Sequence, residues 1–456
     1  MNTSPTSEKA TLSRAELGER TVYRRAVEAA IWGMPIVNFD LMYQAMARID
    51  GTFNQIMYWS RLPDWKNQTL TPNPDSIYQM PFINTKDAGP VVLEIPPADN
   101  GTIVGSVMDC WQAALEDVGP TGVDRGSGGK YLILPPHYKE KVPDGYIALS
   151  SDNYQGYALL RSILKSGSDA DVADAVAYSM RIKLYPLSQA AKPATTHFVD
   201  AIDTVFDATI PYDLRLYQSL ERMVQYEPWL LRDKVMIDQF KSIGIEKGKS
   251  FEPDSKTREI LEDAAHEVHD WIDLQYETVF SPPYYEGTQW AVPILREVME
   301  GLATSFANPD RYPWEGRGLT YSYAFFSPKH PGGGQFYLMA IKDKQGRGLD
   351  GCNTYRLTVP ANAPVKQYWS ATAYDRATHS FIRNMKRLSR SSQIQNLAKN
   401  ADGSVDVYFA PMAPPGKESN WVPTDASGRF EVIFRLYGPE KALFDKAWKL
   451  PDIHEV

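Results

Sequence analysis

Cysteine is nearly absent: Cys110 and Cys352 are the whole complement of a 456-residue chain. Two thiols cannot build a disulfide framework or a cysteine-ligated zinc or iron–sulfur centre. A single bridge stays open, and two buried free thiols are the expectation. Charge of one sign is also scarce. A formal −8 over this length argues against a general nucleic-acid or anionic-membrane surface, and the basic cluster Arg383–Arg390 is short. No apolar run reaches the ~18 residues that a membrane span needs. The first twenty residues hold no apolar signal-peptide core, so a cytoplasmic location is expected.

Chemical motifs are missing too. The run RGSGGK (Arg125–Lys130) resembles a phosphate loop, but Asp124 stands where its first glycine belongs and Tyr131 where a magnesium-holding hydroxyl belongs. It leads into the strand-like YLILPP, so no helix N-terminus would face an anion; a nest of backbone amides with Lys130 remains. SSDN (Ser150–Asn153) and SILK (Ser162–Lys165) occur in the wrong order for a penicillin-recognising serine enzyme, and neither GxSxG nor HExxH is present. His266 and His269 share a helix face with Glu262, opposite an apolar stripe from Ile260 to Ile272, which marks a solvated face rather than a metal site. His379, beside Tyr374, Asp375 and Arg383, is of more interest as a proton carrier, though a lone histidine is more often structural.

What is present is a globular composition, 43% hydrophobic and 23% charged. The pattern divides the chain into four stretches. Residues 1–50 form a polar tail and a helix that Pro35 interrupts or kinks. Residues 51–165 alternate short apolar runs with turn residues and read as a β-rich domain. Residues 166–306 are helical, with helices near 228–243, 254–280 and 288–306. Residues 307–456 return to aromatic-rich strands, among them LTYSYAFF, QYWSATAY and RFEVIFRLY, with PGGGQF (Pro331–Phe336) as a wide hairpin turn. The fold class is therefore α+β multidomain, with an antiparallel β-sandwich or jelly-roll-like C-terminal domain.

The segment TPNPDS (Thr71–Ser76) is stiffened by two prolines, which hold Thr71 and Asn73 extended. In an extended stretch Thr71, Asn73 and Asp75 face one side, as a pre-organised wall would. The equal alternative is that Asn73 and Asp75 satisfy buried backbone groups.

The runs AAIWGMPIVNFD, TPNPDSIYQMPFINTKDAGPVVLEIPP and GGKYLILPP, with YRLTVPANAPVKQYWSATAYD, NADGSVDVYFAPMAPPGKESNWVPT and RFEVIFRLYGPEKALFDKAWKLP, resemble a bacterial two-domain family. Its members join the domains of unknown function DUF1254 (N-terminal) and DUF1214 (C-terminal). The resemblance covers most of the chain and implies two β-rich domains packed with a helical middle. It implies no reaction.

From the residues, the expected function is an enzyme of hydrolase, lyase or isomerase type acting on a small molecule between the two β-domains. Asp75 would be the general base, Tyr78 or Tyr374 the proton donor, and Arg383 or Lys130 the oxyanion stabiliser. Thr71, Asn73, Tyr321, Tyr323, Trp369, His379, Asn420 and Trp421 would line the ligand site. No cofactor is expected, and a divalent metal on Asp75 and Asp109 is a minor variant. The alternatives are a binding protein for a carbohydrate or acidic metabolite, and an assembly role in which the aromatic strands build a homo-oligomer.

Overall fold

The computed structural model describes residues 12–325, 328–330 and 334–456. The expected N-terminal tail and the centre of the PGGGQF turn lie outside the described residues.

The chain starts with the helix Arg14–Ala47. Ser13 opens it with a capping box, its Oγ accepting from Glu16 N–H while Glu16 accepts from Ser13 N–H at 2.7 Å. From Ala29 to Asp40 every residue is buried, so this central part of the helix has no solvent face, while Arg14–Arg20 is exposed. Helices Leu214–Tyr226, Ser255–Tyr276 and Trp314–Tyr323 pack around it. The last approaches so closely that a Cβ on Gly318 would meet the Ile31 carbonyl oxygen at 2.4 Å. Asn38 fastens it by donating to the carbonyls of Tyr321 and Ala324.

Two sheets face each other in the N-terminal half. One has six strands, in the order Phe198–Asp200, Gln55–Tyr58, Ile77–Asn84, Gln155–Ser162, Ile103–Asp109 and Ala114–Val118. The other has four: Lys183–Pro186, Val91–Ile95, Gly129–Leu134 and Ile147–Ser150. Ile56, Leu93, Tyr131, Ala158 and Leu160 fill the space between them. The C-terminal half repeats the arrangement. Strands Gln335–Ala340, Phe430–Tyr437, Trp369–Asp375 and Ser389–Ser391 form one sheet, and Trp421–Pro423, Val405–Ala410, Tyr355–Val359 and His454–Glu455 form its partner. Leu338, Trp369, Phe434 and Tyr355 belong to the core of this sandwich.

Several expectations are corrected. The stretch 166–306 is not wholly helical: Lys183–Pro186 pairs with Val91–Ile95, and Phe198–Asp200 with Gln55–Tyr58, so the N-terminal sheets draw strands from beyond residue 165. The helix expected over 288–306 shrinks to Arg296–Leu302. The run LTYSYAFF begins inside the helix Trp314–Tyr323, where packing on the first helix overrides the β preference of its aromatic and β-branched residues. Cys110 is buried but Cys352 is exposed, and both are free thiols. No helix among the described residues is long and apolar enough to cross a membrane.

One carboxyl couples the two halves of the N-terminal region to pH. Glu227, just past the helix Leu214–Tyr226, accepts from the N–H groups of Tyr154 and Gln155 at 2.7 and 3.0 Å. Burial pushes its pKa up from 4.5 to about 7, against the pull of those amides. The unfolded chain releases this proton at the lower pH and the folded chain at the higher one. The group's stabilising contribution is therefore present below about pH 4.5 and lost as pH rises through 7, by about 3 kcal/mol at most. Urea unfolding at pH 5 and pH 8 should give a higher stability at pH 5, and Glu227→Gln should reduce that difference. An unchanged difference in the variant would remove Glu227 as its source.

Candidate functional site

The six-stranded sheet and the first C-terminal sheet meet along a polar seam, and the seam follows from strand parity. Successive side chains on a strand face opposite ways. On Phe430–Tyr437, Val432, Phe434 and Leu436 enter the C-terminal core, while Glu431, Ile433, Arg435 and Tyr437 face the other way. On Trp369–Asp375, Trp369, Ala371 and Ala373 enter the core, and Ser370, Thr372 and Tyr374 line the seam. From the opposite side come Tyr78 and Arg161, paired across neighbouring strands, with the guanidinium 5.3 Å from the Tyr78 ring centre.

The twin-proline segment lies in this seam. It is a turn, not the extended strand expected of it, and Thr71 has φ +41°, a left-handed conformation that is unusual for a β-branched residue. The surroundings hold it there. Thr71 N–H donates to the His379 carbonyl at 2.6 Å, and its hydroxyl to the Tyr323 carbonyl at 3.0 Å. Arg435 donates to the Thr71 carbonyl at 2.9 Å, and the Tyr374 hydroxyl to that of Pro72. His379 is itself left-handed, φ +53°, so two strained residues are locked to each other. Asn73 donates to Ser76 Oγ and to the Tyr437 hydroxyl at 2.7 and 2.6 Å. The Asp75 carboxylate accepts from Ser389 Oγ at 3.0 Å; burial pushes its pKa up, while Ser389, Arg435 and Arg390 pull it down.

Beyond Thr71 the seam adjoins a pocket of about 150 Å³, lined by Tyr212, His269, Asp273, Asp375, Arg376, His379 and Arg429 among others. Behind its wall, Glu431 is fully buried and accepts from His379 Nδ1 at 3.0 Å and from the Tyr276 hydroxyl at 2.9 Å. A carboxylate can only accept, so Nδ1 carries the proton and Nε2 is the free nitrogen. Arg376 pairs with Asp273 and lies 4.4 Å over the Tyr276 ring. Asp375 is occupied as a turn cap for Ala377 and Thr378.

Thr71, Asn73, Asp75, Tyr78 and Tyr374 thus come together at the seam, and Tyr323 and His379 adjoin it. The other expected site residues lie elsewhere. Arg383 pairs with Asp207 at 2.6 Å on the surface. Lys130 is exposed near the Tyr146 ring, and Asp124 takes the amide of Gly128, which an anion nest would need, together with that of Gly119. Trp369 stacks on Phe434 and borders a second pocket, of about 350 Å³, within the C-terminal domain with Ala361, Ala363 and Ser392, away from Asn73 and Asp75. Tyr321 donates to the Gln112 carbonyl, Asn420 pins the backbone of Ala398 and Asp406, and Trp421 donates to the Ala410 carbonyl. Asp109 accepts from the amides of Trp111 and Ala113, and no metal-holding cluster of three or more His, Cys, Asp or Glu occurs among the described residues. The pocket lies between the helical middle and the C-terminal domain, not between the two β-domains.

Arg161, Arg435 and Glu431 were not anticipated. The available signal was a charged residue inside a strand otherwise apolar on both faces, as in QGYALLRS and RFEVIFRLY, where burial demands a partner.

Residues 53–186 match the family described as protein of unknown function (DUF1254), and residues 334–441 that described as protein of unknown function (DUF1214). No curated protein matches. A crystal structure of a Vibrio parahaemolyticus protein is similar with a TM-score of 0.58 at 18% identity, over 95% of this chain and 100% of that one, a likeness of fold. An uncharacterised protein from Burkholderia cenocepacia aligns at 12% identity with a TM-score of 0.42, over 96% of this chain and 95% of that one, too distant to carry an argument.

Proposed function

Because the chain belongs to the family that joins a DUF1254 to a DUF1214 domain, and those descriptions carry no activity, we propose a function from its own geometry: an enzyme that moves a proton on a small polar molecule. The observation that supports this is the Glu431–His379 pair at the wall of the pocket. Glu431 sets the tautomer and orientation of the imidazole, and Nε2 serves as general base toward a bound substrate or water. Arg376, held by Asp273, and Arg429 supply positive charge for an oxygen that becomes negative during the reaction. The base role expected of Asp75 passes to His379, since Asp75 is engaged by Ser389. Hydrolysis by an activated water, or isomerisation, fits this set.

The second reading is a binding protein without turnover. It is favoured by the lining itself, which among the described residues contains no Ser, Thr or Cys to act as a nucleophile. A panel of small esters, lactones and phosphoesters separates the two. An activity found there should fall about 10²–10⁴-fold in His379→Gln, the usual weight of a general base, with the unfolding midpoint retained to within a few degrees. Turnover that is indifferent to this substitution would sink the enzyme reading, and saturable binding without turnover would favour the second.

A further inference from the structure

We propose that the seam is a second, separate site, which binds the oxyanion group of a small molecule, a carboxylate or a phosphate, around Arg435. Three residues stand in one row across three strands of the C-terminal sheet: Tyr337 opposite Arg435, and Arg435 opposite Ser370. With neighbouring strands ~4.8 Å apart, the row spans roughly 10 Å. Each of the three ends in a buried polar atom with no hydrogen-bond partner: the Tyr337 hydroxyl, Arg435 Nε and Ser370 Oγ. All three can donate. Ser370 Oγ lies near enough to the Asp75 carboxylate to help lower its pKa, so the two donors left with no acceptor are the Tyr337 hydroxyl and Arg435 Nε, and a charged donor beside a neutral one calls for an acceptor with negative charge.

The charge balance points the same way. Arg435 is 2% exposed, and its hydrogen-bond partners are all neutral: Thr372 Oγ1 at 3.2 Å and the carbonyls of Thr71 and Pro72 at 2.9 and 3.3 Å. Among the described residues it forms no ion pair. Asp75, whose charge acts on it, is engaged by Ser389 instead. Tyrosine rings flank the guanidinium, Tyr337 at 5.2 Å and Tyr374 at 5.5 Å. Rings attract a buried cation without neutralising it, and the one Asp75 carboxylate is shared between Arg435 and Arg390, so positive charge at the seam exceeds negative, an arrangement that favours an anion. Asp75 and Tyr337 are both half-buried, so the seam reaches solvent at that rim.

The test uses the full chain and two probes, inorganic phosphate and acetate, against chloride at matched ionic strength. Calorimetric titration should give saturable binding of at least one probe and none of chloride; which probe binds names the headgroup. Tyr337→Phe removes a hydroxyl that no protein group uses, so the variant should fold as the parent does and bind roughly fivefold more weakly. Arg435→Lys should weaken binding more than tenfold, and His269→Gln, in the pocket lining, should leave it unchanged, which separates this site from the pocket. Absence of saturable binding to both probes overturns the proposal, and so does equal affinity in Tyr337→Phe.

Discussion

Arg435→Leu is expected to lower the unfolding free energy by about 3 kcal/mol, one of the two largest single-residue effects in this molecule. Leucine fills much of the volume but donates nothing. The Thr71 carbonyl and the Thr372 hydroxyl would then lose this donor in a largely buried region, while the Pro72 carbonyl would keep only the Tyr374 hydroxyl. Each stranded buried group costs about 1–3 kcal/mol, and relief from burying the guanidinium returns part of the sum. The loss also reaches Thr71, whose left-handed backbone is held from its carbonyl side by this arginine. Urea denaturation measures it, with the m-value as the check that the compactness of the end states is unchanged. A loss below about 1 kcal/mol would mean that the seam tolerates an apolar residue, and Arg435 would then be neither its anchor nor its anion site.

How much of this could be read beforehand depends on the kind of signal. The β-rich ends and the helical middle are written in periodicity over long stretches, and periodicity survives packing. The seam was half legible. Pro72 and Pro74 drew attention to the right six residues, because rigid backbone loaded with short polar side chains is expensive unless it is used. The geometry was wrong, however, since a residue before proline is steered away from the right-handed helical region without being confined to the extended one, and Thr71 took the left-handed alternative. Trp369 illustrates a different failure. It stands one residue from Ser370, and a shift of one position along a strand exchanges the two faces. Composition finds such a strand; only the register decides which of its residues meet the ligand. Glu431 and His379 are 52 residues apart in sequence, and no local pattern carries a pairing across that distance.

The middle boundary was misplaced for a related reason. Lys183–Pro186 and Phe198–Asp200 are short strands that complete the edges of sheets begun far earlier in the chain, at Val91–Ile95 and Gln55–Tyr58. Short edge strands have too few residues to display a period, and their partners supply most of the ordering energy. The helix Trp314–Tyr323 shows the converse: a sequence with aromatic and β-branched residues becomes helical because Gly318 lets it lie against the backbone of Ile31. In both places the tertiary neighbour outweighs the local preference, and both flank the polar sites. The helix brings Tyr323 to Thr71, and the strand Phe198–Asp200 closes the sheet that carries Tyr78 and Arg161.

Glu431→Ala should be the most damaging change of all, costing about 3–5 kcal/mol of stability. It strands the buried His379 Nδ1–H and Tyr276 hydroxyl and opens a cavity behind them. Because loss of fold and loss of activity would then coincide, the informative variant is Glu431→Gln. The amide keeps the volume, and its oxygen and nitrogen can serve Tyr276 and the imidazole, so most of the stability should return. It cannot require a proton on Nδ1, however; the amide nitrogen donates to Nδ1 as readily as the amide oxygen accepts from it. In the tautomer with the proton on Nε2, His379 has no lone pair to offer the pocket. Turnover in Glu431→Gln should therefore stay roughly 10²-fold or more below the parent while the unfolding midpoint recovers, with kcat lowered and KM little changed. A variant that recovers both stability and turnover would show that Glu431 merely fills space and satisfies donors, and the proton-transfer reading of His379 would fall with it.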